Sequence, residues 1–204
     1  MAFPNALVAT ELAAVNQILG AVGQAPVTTL DQTNPDVAIA YDTLQEVNRE
    51  VQAEGWVFNT ENEYPFTPDT NGQILIPDNV LMLDLSDLYE NRGMDVVRRN
   101  GKLYNKTDHT FTWTDKVKCD VVWLFDFNDL PTPFRDLVAA RAAVQASTKM
   151  IGDSTVFQML QQKEAMARAN AMEYECNQGD YSFFGFPRST NYYVSYQPFH
   201  TLAR

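Results

Sequence analysis

The sequence predicts an α+β fold: an antiparallel helix bundle of about four helices, a β domain inserted between helices two and three, and an extended C-terminal arm. Two observations carry most of this. Apolar residues recur at three- and four-residue steps before residue 55 and after residue 130, whereas between these stretches the period falls towards two and turn signals crowd together. The implied organisation is 1–55 as the N-terminal helical part, 56–129 as the inserted β domain, 130–178 as the C-terminal helical part and 179–204 as an aromatic-rich arm. With 204 residues, 45% of them hydrophobic, the chain has enough apolar material for one compact core.

The first helix opens at Thr10, whose hydroxyl can cap the free N–H groups of the first turn. It places Leu12, Val15, Leu19 and Val22 on one stripe before Gly20 and Gly23 offer stops. Asn34-Pro35 opens the second, because Asn caps and proline lacks only an N–H that would be unpaired there anyway. Its stripe of Val37, Ala40, Tyr41, Leu44, Val47 and Val51 runs to Gly55. From Trp56 to Phe127 the chain reads as β. The clearest strand sets Val117, Cys119, Val121, Trp123, Phe125 and Phe127 on one face and Lys118, Asp120 and Asp126 on the other. Leu81, Leu83 and Leu85 repeat the alternation, and Asn100-Gly101 suits a two-residue type I′ turn. Thr132-Pro133 predicts the cap and first turn of a third helix, with Phe134, Leu137, Val138, Val144 and Ile151 spaced for burial up to Gly152. Asp153-Ser154 caps a fourth, which carries Val156, Met159, Leu160, Met166, Ala169 and Met172.

A net charge of −11 argues against tight nucleic-acid binding, which draws its affinity from Lys and Arg displacing phosphate counterions. The N-terminal MAFPNALVAT lacks the basic and apolar regions of a signal peptide. Nor does any run approach the roughly 18 apolar residues of a membrane span. A soluble protein with no membrane association is the expectation. Two cysteines, Cys119 and Cys176, make neither a disulfide framework nor a zinc knuckle, and suit a reducing compartment of synthesis.

The last stretch, 179–204, holds eight aromatics, Tyr181, Phe183, Phe184, Phe186, Tyr192, Tyr193, Tyr196 and Phe199, with little charge and no sustained period. Each can bury about 150–250 Å², so the segment reads as a contact surface for another protein, or else as a cover over the chain's own helices.

Catalytic signatures are missing: there is no GxSxG, HExxH, phosphate loop or GxGxxG, and neither His109 nor His200 has the companions of a metal set. The expectation is a protein that is not an enzyme, with no cofactor and no metal. Carboxylates cluster at Glu61/Glu63, at Asp84/Asp87/Glu90 and at Asp126/Asp129. A pair roughly 5–9.5 Å apart could serve a glycan hydrolase, but with 26 acidic residues such pairs arise by chance. Arg92, Arg98, Arg99, Lys102 and Lys106 gather around the Asn100-Gly101 hairpin, as a patch for an acidic partner or DNA, or as charges that keep a hairpin soluble.

The run Glu11 to Val27, ELAAVNQILGAVGQAPV, is followed by the helix start Asn34-Pro35-Asp36-Val37 and the exit Glu54-Gly55-Trp56-Val57-Phe58-Asn59. Leu130-Pro131-Thr132-Pro133-Phe134-Arg135 and the helix end Met172-Glu173-Tyr174-Glu175 come later in the chain. Together, in this order, they resemble the tail tubular protein A family of short-tailed phages. The resemblance implies a structural virion protein at the head-tail junction, made in the host cytoplasm. It would form a homo-oligomeric dodecameric ring between the portal protein and the tail nozzle, tail tubular protein B, with tail fibres docking around the joint. Genomic DNA would pass through the axial channel without sequence-specific binding. Such a ring needs two different complementary faces on each copy, for which the exposed sides of the second and fourth helices are the candidates, with the aromatic arm gripping a neighbour or the portal. The competing readings are a virion-associated peptidoglycan or capsule hydrolase using a carboxylate pair, and a DNA-binding head-completion factor acting through Arg98 and Arg99.

Overall fold

The structure, a computed structural model, describes residues 10–86 and 93–179. Among them are four α-helices and small antiparallel sheets, in the order α1 (Glu11–Ala21), α2 (Pro35–Ala53), β1 (Thr60–Phe66), β2 (Val80–Leu85), β3 (Val96–Arg99), β4 (Lys102–Asn105), β5 (Val117–Trp123), α3 (Thr132–Met150) and α4 (Ser154–Gly179). The fold is α+β. The chain forms two compact units, one from residues up to 54 together with 125–175, the other built on 55–124.

In the helical unit, α1, α2 and α3 pack on one another. The Thr10 hydroxyl accepts from the Ala13 N–H at 3.3 Å, and the Asn34 side chain from that of Asp36 at 3.0 Å. The caps thus lie where the sequence places them. Val15, Ile18 and Leu19 of α1, Val37, Leu44 and Val47 of α2, and Phe134, Leu137 and Val138 of α3 make the core. On α3, Ala139, Ala140, Ala142, Ala143 and Ala146 are also buried, and their short side chains admit close approach of neighbouring backbone. Two expectations for α3 fail. Thr132 is its first residue rather than its cap, and the Thr132 hydroxyl accepts from Arg135 at 3.1 Å instead of closing the helix end. Ile151, expected inside, is exposed, because α3 stops one residue earlier at Met150 and Gly152 reverses the chain with φ +73°.

The β unit holds a three-stranded sheet in the order β1-β5-β2 and the hairpin β3-β4. Val117, Cys119 and Val121 of β5 are buried with Phe66, Ile74, Val96, Leu103 and Trp113, so the predicted alternation holds through the strand. Asn100 and Gly101 take φ +52° and +70°, and Arg99 pairs with Lys102 across them, as a type I′ turn requires. Glu61 and Glu63 do not share a simple strand face. A bulge lies between Glu61 and Tyr64, Glu63 has φ +57°, and its N–H is donated to the Asp120 carboxylate at 2.8 Å.

The predicted strand through Phe127 ends at Trp123, and the cause is a competing set of hydrogen bonds. The Phe125 N–H is donated to the Gln52 side-chain oxygen at 2.8 Å. The Phe125 carbonyl accepts from the Gln52 amide at 2.9 Å and from that of Asn48 at 3.3 Å. Both α2 side chains are buried, and they satisfy the backbone groups that a sheet ladder would otherwise use. Phe127, fully buried, then sits in a one-turn 3-10 helix, Phe127–Asp129.

Replacing Gln52 with Ala strands the Phe125 N–H and reduces its carbonyl to one partner, at a cost of about 1–3 kcal/mol for each buried polar group left unpaired. We predict a fall in the urea midpoint corresponding to about 2–4 kcal/mol at unchanged slope. A change under about 0.5 kcal/mol, the range of ordinary surface substitutions, would show that the clamp is not a main support.

Candidate assembly surfaces

α4 joins the helical unit differently from the other three helices. Of its 26 residues only Ala171 and Glu175 are buried, with Val156, Phe157, Leu160, Ala167 and Tyr174 half-buried. A charged cluster makes up part of its attachment. The Arg141 guanidinium, on α3, donates to Glu164 of α4 at 2.8 Å and to Glu54, at the end of α2, at 2.9 Å. Arg168 of α4 holds the same Glu54 carboxylate with two bonds, at 3.1 and 2.9 Å. An edge-on ring contact between Phe134 and Tyr174, 6.0 Å between centroids, adds to it lower on the helix. Burial would push the Glu54 carboxyl up, but the guanidinium bonds from Arg168 and Arg141 outweigh it and hold the pKa below the ordinary 4.5. For Arg141, burial pulls down while Glu164 and Glu54 pull up, and the net shift is upward.

This attachment leaves an exposed face on α4. Met159 and Met166, a heptad apart, are 68% and 71% exposed, and Gln162, Lys163, Asn170 and Glu173 are exposed with them. Ala169 and Met172 are exposed as well, so the apolar residues of this helix only partly serve the chain's own core. The outer face of α2 is chemically different: Ile39, Asp42, Glu46, Arg49 and Glu50 are exposed, with Glu46 bonded to Lys149 at 3.0 Å. The unit thus presents one acidic helix face and one bearing methionines and amides.

The Arg and Lys residues of the β3-β4 hairpin are largely committed within the chain. Arg98 pairs with Asp78 and Lys106 with Asp95, while the Arg99 guanidinium lies 4.3 Å from the Tyr104 ring centroid. The two ion pairs offset part of the hairpin's positive charge and leave less for phosphate. Arg92 lies outside the described residues. Of the acidic groups, Glu61, Glu63, Asp84, Asp126 and Asp129 are exposed and distributed over both units, and Asp87 and Glu90 lie outside the described residues. Sequence reading passed over one pair: register sets Asp84 opposite Asp120 on β2 and β5, where the Ser86 hydroxyl donates to Asp120 at 3.1 Å. Among the described residues no group of three His, Cys, Asp or Glu could hold a metal ion, and no helix is long and apolar enough to cross a membrane. The Cys119 thiol is pushed up to about 12, first by burial and then by Asp120 and Asp84, which makes it inert; Cys176 is exposed. His109 sits at φ +56° with its ring 3.5 Å from the Tyr104 hydroxyl. Tyr181, Phe183, Phe184, Phe186, Tyr192, Tyr193, Tyr196 and Phe199 all lie outside the described residues.

Comparison with known proteins gives this arrangement a context. Residues 12–181 match the family model described as Tail tubular protein. The chain is also 29% identical over 155 residues to Tail tubular protein A of Klebsiella phage KP34, an alignment covering 76% of this chain and 81% of that protein.

The charged cluster makes stability depend on acid in a defined direction. The Glu54 pKa is lower folded than unfolded, so its contribution is present above the unfolded value of 4.5 and is lost as pH falls through the folded value. Glu54→Gln should be less stable than the parent at neutral pH, with the two curves converging below pH 4.5. Denaturant midpoints across the acid range test this, and parallel curves would contradict it.

Proposed function

The chain belongs to the tail tubular protein family and is a structural component of a phage tail; we propose that it is the head-to-tail adaptor subunit, forming a dodecameric ring between portal protein and tail nozzle. The observation that carries this reading is the pair of dissimilar exposed helix faces. A ring of identical copies closes only through heterologous contacts, in which one face of each copy meets a different face of the next. The acidic face of α2 and the methionine-bearing face of α4 are such a pair. Methionine suits the role, since its flexible thioether adapts to a partner's contour.

In this reading the helical parts, 1–55 and 130–178, build the ring wall, and the β domain, 56–129, serves as the docking region for the nozzle, tail tubular protein B, and the tail fibres. The arm, 179–204, grips a neighbour or the portal through its eight aromatics. The ring surrounds an axial channel for genome ejection. A net charge of −11 suits a wall that DNA must slide past without sequence-specific binding, and the internal pairing of Arg98 and Lys106 removes two cations that could retain it. Synthesis takes place in the host cytoplasm, and the ring forms on the portal.

Light scattering on the purified chain with and without portal protein tests the proposal, alongside a chain ending at Gly179. We predict a defined ring-sized mass for the full chain with portal, and reduced assembly for the shortened one. Monomers in every mixture would contradict it.

A further inference from the structure

The three-stranded sheet has two edges, and they are protected unequally. β1 carries Pro65, Glu61, Glu63 and the bulge at Glu61/Tyr64, all of which discourage another strand from pairing there. β2 reads Val-Leu-Met-Leu-Asp-Leu, without proline, lysine or arginine, and among the described residues no strand pairs with its outer edge. The core beneath that edge is also incompletely covered. Leu83 and Leu85 pack against the buried cluster, yet they and Leu81 remain partly exposed, and Met82 on the opposite face is 56% exposed. A strand edge that no described strand pairs with, beside half-covered leucines, has the features a strand-addition site needs.

We propose that the outer edge of β2 receives residues 192–196 of the C-terminal arm of a second copy of this chain, added as a strand. That segment, Tyr-Tyr-Val-Ser-Tyr, is made almost wholly of residues that favour strands, and Pro198 ends it by withdrawing an N–H from the ladder. Its alternation matches the surface. Tyr192, Val194 and Tyr196 share one face and would cover Leu81, Leu83 and Leu85, while Tyr193 and Ser195 lie on the side of Met82 and Asp84. Length permits a neighbour as donor: residues 180–191 can span roughly 40 Å when extended, enough to leave the α4 that bears them. Symmetry favours one, since a copy that gives an arm and receives one presents two different complementary surfaces. The inference rests on the ring reading and specifies one of its contacts.

Full-length chain carrying Cys176→Ser, Met82→Cys and Ser195→Cys, treated with a short bis-maleimide in the presence of portal, tests it. The expected product is a ladder of covalently joined copies that disappears in the same chain bearing Val194→Pro and survives Val194→Ile. Proline at 194 withdraws an N–H from the ladder and isoleucine does not, and an unchanged urea midpoint of the proline variant separates lost docking from lost folding. Absence of cross-links, or cross-links confined within single chains, would overturn the proposal. If the cysteine chain still forms portal-bound rings without cross-linking, strand addition fails while the adaptor reading stands. If the parent forms no ring with portal, it is the adaptor reading that fails.

Discussion

The hold of Gln52 and Asn48 on the Phe125 backbone is the constraint on which the division of this chain depends. Gln52 lies near the end of α2 and Phe125 is the residue with which the chain returns to the helical unit. A fully buried amide that both donates to and accepts from one residue's main chain fixes the place of that residue closely, because either bond alone would leave a buried polar atom unpaired. The β unit has its own equivalent. The Trp123 N–H is donated to the Asn59 carbonyl and the Asn59 side chain returns a bond to the Trp123 carbonyl, each at 2.8 Å. Entry and exit of the β segment are thus pinned within each unit by amide side chains, beside the buried Trp56 and Phe127. The cost of spanning so long a segment between pinned points rises only slowly with its length.

With the helical unit so closed, its interior is filled by three helices, and the fourth is attached by a charged cluster together with a few half-buried apolar side chains. Glu54 links the two halves of the chain, since it follows α2 and binds arginines from both α3 and α4. A bidentate pair shared by two guanidiniums fixes direction well but covers little apolar surface. This explains how a helix as long as α4 keeps Met159 and Met166 outside. A subunit that must meet other proteins gains from such an arrangement: the position of the helix is set before assembly while its apolar residues stay available for the contact.

Much of this was legible in the sequence wherever local chemistry decides the outcome. The caps at Thr10, Asn34 and Asp153, the glycine after α2 and the Asn100-Gly101 turn act through their nearest neighbours, and a one-dimensional reading finds them. The illegible parts depend on partners distant in sequence. Alternation continues past Trp123 through Phe125 and Phe127, and only the reach of Gln52 across the fold shows why the strand stops there. The bulge beside Glu63 depends on the Asp120 carboxylate, and the pairing of Arg98 and Lys106 on Asp78 and Asp95. The spacing of methionines on α4 shows an amphipathic helix but cannot tell a face that meets the core from one kept for a partner. The family was legible because it is written in the order of short motifs along the chain, and the comparisons extend the match over residues 12–181.

A ring subunit of the kind proposed would have a fixed place in the particle, so the central claim can be examined in the virion itself. A reconstruction by electron cryo-microscopy of the phage neck, at a resolution that separates helices, should contain a closed ring between portal and nozzle. Each of its subunits should be fitted by α1 to α4, with α4 against the next copy. Neck density that no copy of this helical unit fits, in particles that nonetheless carry complete tails, would contradict the account.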